Sequence, residues 1–284
     1  MIRAALLVSG AGTVTFSAYN YFLEENPLTN KWRFMLWGPS FDVRLGKFVS
    51  SSQKQAYQKT GKVVPQEQCT HKLAHSIATE LIKHLPTTAP RDWNLTVVQD
   101  STPNAFAVPD GSIFITTRLI ELADSPDELA LVLAHEIGHV YLRHSAHQIS
   151  TQLSLGVLAS VVQYLVFGET YKIVDDIQTL VLRLPMSREH EYEADKFGCI
   201  MSTEAGFDNN RGPRILMKLK KLEPASSPWL STHPATEERI KELRLEVMKV
   251  KDTASPVDAQ YQREQLTYLD KLMARAKAEL RIKT

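Results

Sequence analysis

The chain has 284 residues, a net charge of +1, and a composition that is 43% hydrophobic and 23% charged. That length suffices for one large domain or two small ones with a sizeable core, and the composition excludes a long disordered protein. Near-neutral charge removes any bulk electrostatic case for nucleic acid as a partner.

Residues 4–23, AALLVSGAGTVTFSAYNYFL, contain no charged side chain and match the length of a membrane-spanning helix, with Tyr19, Tyr21 and Phe22 where an interfacial aromatic belt would lie. A signal peptide is the alternative, but no small-residue cleavage site stands out and only Arg3 precedes the stretch. We therefore expect an N-terminal membrane anchor over residues 1–25 and a linker over 26–65. Lys31, Trp32, Arg33, Phe34 and Trp37 give that linker a basic-aromatic character that suits a lipid headgroup layer or simply packs on the domain.

The remaining residues, 66–284, read as one folded domain. Leu73, Ile77, Leu81 and Ile82 fall at helical spacing within residues 66–85, and Pro86 closes that element. His71 and His75 on it are four apart, but no carboxylate lies between them, so they read as surface or packing residues. Cys69 and Cys199 allow one disulfide but no framework, and neither has a neighbour at zinc-finger spacing, so both read as core residues. Short strands follow at 95–98, 105–108 and 113–116, with the turn Pro109-Asp110-Gly111 between the last two. Asn104, Ala105, Phe106 and Ala107 are candidates for a cleft-rim strand that pairs with an extended substrate through its backbone.

The chemistry concentrates in the next helix. Ser125 as N-cap, Pro126 at the first position and Glu128 three residues after the cap start it, and Leu129 to Ala134 form an apolar run that buries it on most sides. Within it stands H-E-x-x-H: His135, Glu136 and His139. Histidines four apart project from one helix face and can hold a zinc ion, and Glu136 can reach a water on that metal. Two buried imidazoles and a carboxylate would be costly to desolvate without such a partner. Residues 153–167 are uncharged and apolar, too short to cross a bilayer, and read as a buried helix or one dipping into the membrane.

The third ligand is expected in SREHEYEADKFG, residues 187–198, where Glu191 and Asp195 share a helix face. Glu191 would bind the metal, and Asp195 would orient a ligand histidine, His135 by preference, by accepting its other ring proton. Glu189, His190 and Glu193 compete for the role of ligand, though His190 and Glu193 point elsewhere if Glu191 faces the metal. His233 precedes Pro234 and so sits on an extended turn, either as a surface histidine or as an oxyanion donor. A last amphipathic helix over 258–283 carries Leu266, Leu269, Leu272, Met273, Ala276 and Leu280, and would pack on the domain or on a second copy of the chain, which makes a homo-oligomer a candidate state.

Taken together, HEIGH, SREHEYEAD, STHPATEERI and the upstream NAFAVPDGSIFITTRLI resemble the gluzincin metallopeptidases of family forty-eight, which include the CAAX prenyl proteases and HtpX. The juxtamembrane NPLTNKWRFML after a single anchor is most similar to the family's mitochondrial inner-membrane branch. The resemblance implies an α+β, predominantly helical zincin-like domain with a small sheet, preceded by one transmembrane helix. It implies one zinc per chain, bound by His135, His139 and Glu191, with Glu136 catalytic and His233 matching the family's transition-state histidine. Membrane-protein substrates cleaved without ATP, in inner-membrane quality control with the domain in the intermembrane space, are implied as well. A bacterial envelope member of the family is the second placement. The competing class is a zinc-stabilised membrane adaptor without turnover, against which an intact Glu136 counts, since ligation alone does not need it.

Overall fold

The computed structural model describes residues 20–87, 89, 92–154, 181–182, 185–222, 228–253 and 259–282. The described chain is mainly helical with two small sheets. Strands β1 (Leu23–Glu25) and β2 (Trp32–Phe34) form an antiparallel hairpin in which Glu24 pairs with Arg33. Asn26 shapes the turn between them, its Oδ1 accepting from the backbone of Leu28 and Thr29.

Helix α1 (Pro39–Lys59) follows, so the stretch expected as a linker is structured and folds onto the domain. Its buried stripe is narrow: Leu45 and Val49 join a cluster with Val98 and Phe114 of the sheet and Val108 just after β4, while Ser50 donates to Asp110 Oδ2 at 2.6 Å. Two apolar residues one turn apart are a faint helical signal beside the more conspicuous aromatic-basic cluster upstream. That cluster divides. Trp32 stays exposed, whereas Arg33 is buried and Trp37 donates its indole N–H to Asp42 at 2.7 Å.

Helix α2 (Cys69–Lys83) buries Leu73, Ala74, Ile77 and Leu81. His71 packs inside it and His75 is exposed, as their spacing suggested. The α2 N-terminus is capped from a distance: Glu279 accepts from the backbone N–H groups of Cys69 and Thr70 at 3.1 and 3.2 Å. Both cysteines are free; Cys199 is fully buried, and Cys69, at the start of α2, is partly buried and packs against the main core.

The three-stranded sheet has the order β3-β5-β4, with β3 (Asn94–Val98) parallel to β5 (Ser112–Thr116) and β4 (Ala105–Ala107) antiparallel to it. Gly111, at φ 89°, makes the tight turn into β5. Thr116 then caps the short α3 (Thr117–Leu122). Helix α4 (Pro126–Tyr141) is buried throughout Pro126 to Val140. Ser125 has the extended backbone of an N-cap but makes no side-chain cap; Glu128 reaches back one residue further, to the N–H of Asp124, at 2.9 Å.

Helices α5 (Arg188–Glu204), α6 (Pro213–Lys220), α7 (Pro228–Thr232), α8 (Glu237–Thr253) and α9 (Ala259–Ile282) complete the described elements. Leu269, Leu272, Met273 and Ala276 of α9 are buried with α2 in the main core. The expected N-terminal span lies outside the described residues except for its last four, and there the chain has already left helix for strand at Leu23. Of residues 153–167 only 153–154 are described, and they are helical, in a stretch that begins at 144; the rest lie outside the described residues. No described helix is long and apolar enough to cross a membrane.

Candidate metal centre

Two helices bring the site together. His135, Glu136 and His139 lie on α4, and Glu191 and Asp195 on α5, all buried. The helices approach closely where each carries a glycine. A Cβ on Gly198 would stand 3.1 Å from the His135 backbone nitrogen, and one on Gly138 would stand 3.1 Å from the Phe197 ring. Ser187 starts α5 by accepting from the His190 N–H at 3.1 Å, which sets the phase that turns Glu191 toward α4.

Four side chains converge there: His135, His139, Glu191 and, from the turn after α7, His233. His135 Nε2 lies 3.0 Å from His139 Nε2 and 3.4 Å from His233 Nδ1, and Glu191 Oε1 lies 3.3 Å from His139 Nε2 and 2.8 Å from His233 Nδ1. Ligand atoms arranged tetrahedrally around a zinc-sized ion, at bonds of about 2.0–2.2 Å, stand roughly 3.3–3.6 Å from one another. The donor set is therefore of the right chemistry and nearly the right size for a metal ion. His233 falls inside that set rather than beyond it.

The other expected residues distribute as follows. Asp195 Oδ1 is 2.9 Å from His135 Nδ1, the nitrogen turned away from the cluster. Glu189 is exposed and pairs with Lys31 at 2.6 Å, His190 turns to His147 Nδ1 at 2.8 Å, and Glu193 turns to His144 Nε2 at 3.0 Å. Glu136 Oε1 accepts from Trp229 Nε1 at 2.9 Å and lies 3.8 Å from His233 Nε2. Ala105, Phe106 and Ala107 form the edge strand β4 beside α4, with Phe106 stacked on Phe114, and Asn104 precedes it. None of these four is hydrogen-bonded to the converging set among the described residues. A cavity of about 170 Å³ opens beside Glu191, lined by Met186, Tyr192, Pro234 and Thr236.

Sequence reasoning missed Arg239. Its guanidinium grips Asp195 with Nε at 2.7 Å from Oδ2 and Nη2 at 2.8 Å from Oδ1, while Nη1 pairs with Glu191 Oε2. It also lies over the Trp229 ring, 5.4 Å from the centroid. In TEERIKELR an arginine looks like one more solvated charge, and no spacing rule links it to Asp195 across 44 positions. Trp229 was missed for the same reason.

Electrostatics agree with a centre built to hold a cation. Burial would raise the Glu191 carboxyl, but Arg239, His233 and His135 together hold it well below the usual carboxylate range. Asp195 is likewise lowered, its burial outweighed by Arg239. Burial, then the neighbouring His135, pushes His139 down to about 4, so it stands neutral with a lone pair to give. His233 is raised: burial opposes its charge, but Glu191 and Glu136 outweigh that.

Comparison with known proteins points the same way. The model of peptidase family M48 matches residues 69–247. The chain is 38% identical over 150 residues to a mitochondrial metalloendopeptidase OMA1 of Arabidopsis thaliana, covering 52% of this chain and 30% of that protein. It is 28% identical to the OMA1 of Schizosaccharomyces pombe, covering 84% of this chain and 69% of the relative. A putative beta-barrel assembly-enhancing protease of Vibrio cholerae is 31% identical over 52% of this chain and 33% of its own length. With a family match across residues 69–247, more than half of its length, the chain belongs to peptidase family M48.

Proposed function

We propose that the chain is a zinc-dependent endopeptidase that cleaves membrane proteins without ATP, attached to the mitochondrial inner membrane with its catalytic domain in the intermembrane space, in protein quality control. The observation that carries the catalytic part is the convergence of His135, His139 and Glu191 beside an intact Glu136. The mitochondrial placement rests on the likeness to the OMA1 proteins, and the attachment on the apolar residues 4–23.

A zinc ion held by His135, His139 and Glu191 would acidify a bound water and polarise the scissile carbonyl. Glu136, oriented by the Trp229 indole, takes the water's proton and delivers it to the leaving amine. Asp195 fixes His135 by accepting its Nδ1 proton. His233, 3.8 Å from Glu136 and fixed by Glu191 at 2.8 Å, is placed to donate to the developing oxyanion. The outer edge of β4, which pairs with no further strand among the described residues, offers the backbone of Asn104 to Ala107 to an extended substrate. Glu136→Gln keeps every ligand but loses the base, so it should retain zinc and lose peptide hydrolysis. Cleavage at the wild-type rate would remove Glu136 from the mechanism.

One observation favours a second reading for His233: its Nδ1 occupies the fourth corner of the donor set, where it would close the centre as a ligand. His233→Ala separates the two. An oxyanion donor predicts retained zinc and turnover reduced by about 10²–10³. Lost zinc would make His233 a ligand.

A further inference from the structure

The side of His139 turned away from the metal cluster meets a second imidazole. His139 Nδ1 lies 2.8 Å from His144 Nδ1, and His144 Nε2 lies 3.0 Å from Glu193 Oε2. His144 has no exposed surface and stacks on His190 at 4.4 Å, so its ring is held in place. The other oxygen of Glu193 faces the β1–β2 turn, where the Thr29 hydroxyl donates to Oε1 at 3.4 Å and the Asn26 side chain also bonds to the carboxylate. Residues from three parts of the chain thus make one line of hydrogen bonds ending at His139.

We propose that His144 and Glu193 are positioning residues that hold His139 in its metal-binding tautomer and orientation. The inference rests on the zinc assignment above. A nitrogen that binds metal must offer its lone pair, so His139 bound through Nε2 carries its proton on Nδ1. That proton can be donated only if His144 Nδ1 is bare, which puts the His144 proton on Nε2, facing the Glu193 carboxylate. The carboxylate accepts and cannot donate when ionised. Every atom in the line then has one consistent role. The reverse arrangement would place a lone pair against Glu193 and a proton on His139 Nε2, where the metal belongs. Glu193 therefore does for His139, through one intervening ring, what Asp195 does directly for His135.

The test uses the full chain, stripped of metal and titrated with zinc against a chelator of known affinity, and with cobalt(II) for its visible absorption. His144→Phe keeps the ring and removes both nitrogens; Glu193→Met keeps the length and removes the acceptor. Each should bind zinc about 10–100-fold more weakly, with altered cobalt bands and a metal-free melting temperature close to wild type. Glu193→Gln, whose amide oxygen still accepts the His144 proton, should recover most of the affinity. Glu189→Gln, which removes an equal charge at an exposed position, should bind as wild type does. Should His144→Phe fail to fold, the Met and Gln variants of Glu193 decide. Zinc affinity within about twofold of wild type in Glu193→Met, or no recovery in Glu193→Gln, would overturn the relay. Absence of zinc binding by the wild-type chain would overturn the metal assignment itself, and the relay with it.

Discussion

His135 and His139 are one turn apart on the same helix, yet their rear nitrogens meet opposite kinds of support. Behind His135 stands an ionic clamp, Asp195 gripped by Arg239, which also pairs with Glu191. Behind His139 stands a second imidazole, with the carboxylate one ring further away. The clamp is made by α5 and α8, the relay by His139 near the end of α4, His144 just beyond it, α5 and the N-terminal hairpin. Buried charges hold geometry firmly but punish the loss of a partner, whereas neutral rings cost less to bury and respond to protons. The difference makes the clamp the mechanically unforgiving side and the relay the acid-sensitive side.

The largest effect should come from breaking the clamp. Arg239→Met leaves Asp195 and Glu191 buried without their cation, a change expected to cost about 3–5 kcal/mol of stability. Urea denaturation of the metal-free protein measures it, and a bound metal should shrink the loss by supplying charge to Glu191. A cost under about 1 kcal/mol would mean that the two carboxylates find other partners and that the clamp is not the stiff side.

Asp195→Ala removes the direct orienting group of His135 and should weaken zinc binding by about 10–100-fold. Measured beside the His144 and Glu193 variants, it ranks the two supports. An Asp195 effect smaller than theirs would reverse the comparison.

Acid tests the relay side more gently. Burial, before any neighbouring charge, lowers His139 to about 4 and His190 to about 3, from an ordinary value of 6.5. Both are neutral in the fold while the unfolded chain takes protons below about 6.5, so stability is fully present above that pH and falls as pH drops. Each group contributes up to about 1.4 kcal/mol per pH unit across its window. Glu191 and Asp195, already lowered, add the same sign only further down, and the raised His233 acts in the other direction, losing its contribution as pH rises. Chelator-treated protein should therefore lose stability between pH 6.5 and about 4, before the clamp carboxylates protonate. A flat profile across that range would mean that these imidazoles are solvated.

How much of this was legible beforehand follows from distance along the chain. His135 and His139 could be placed on one face, and Glu191 with Asp195 on another, because four residues is close to one helical turn wherever the helix sits. The three strands of the β3–β5 sheet were visible from the β-branched runs of β3 and β5, the short apolar run of β4 and the turn at Gly111. The hairpin and α1 were not, because their burial depends on surfaces supplied by the sheet and by the helical stretch that begins at 144 rather than on any period of their own.

Periodicity alone determined that the chain offers two ligand-bearing helix faces, and the H-E-x-x-H spacing determined what chemistry one of them can carry. Only tertiary structure decided which distant groups complete them. Trp229 reaches Glu136 across 93 positions, Arg239 reaches Asp195 across 44, and Thr29 reaches Glu193 across 164. Local rules act through bonds shared within one turn, whereas these contacts exist because burying α4 against α5 leaves polar groups that must find partners from wherever the chain passes.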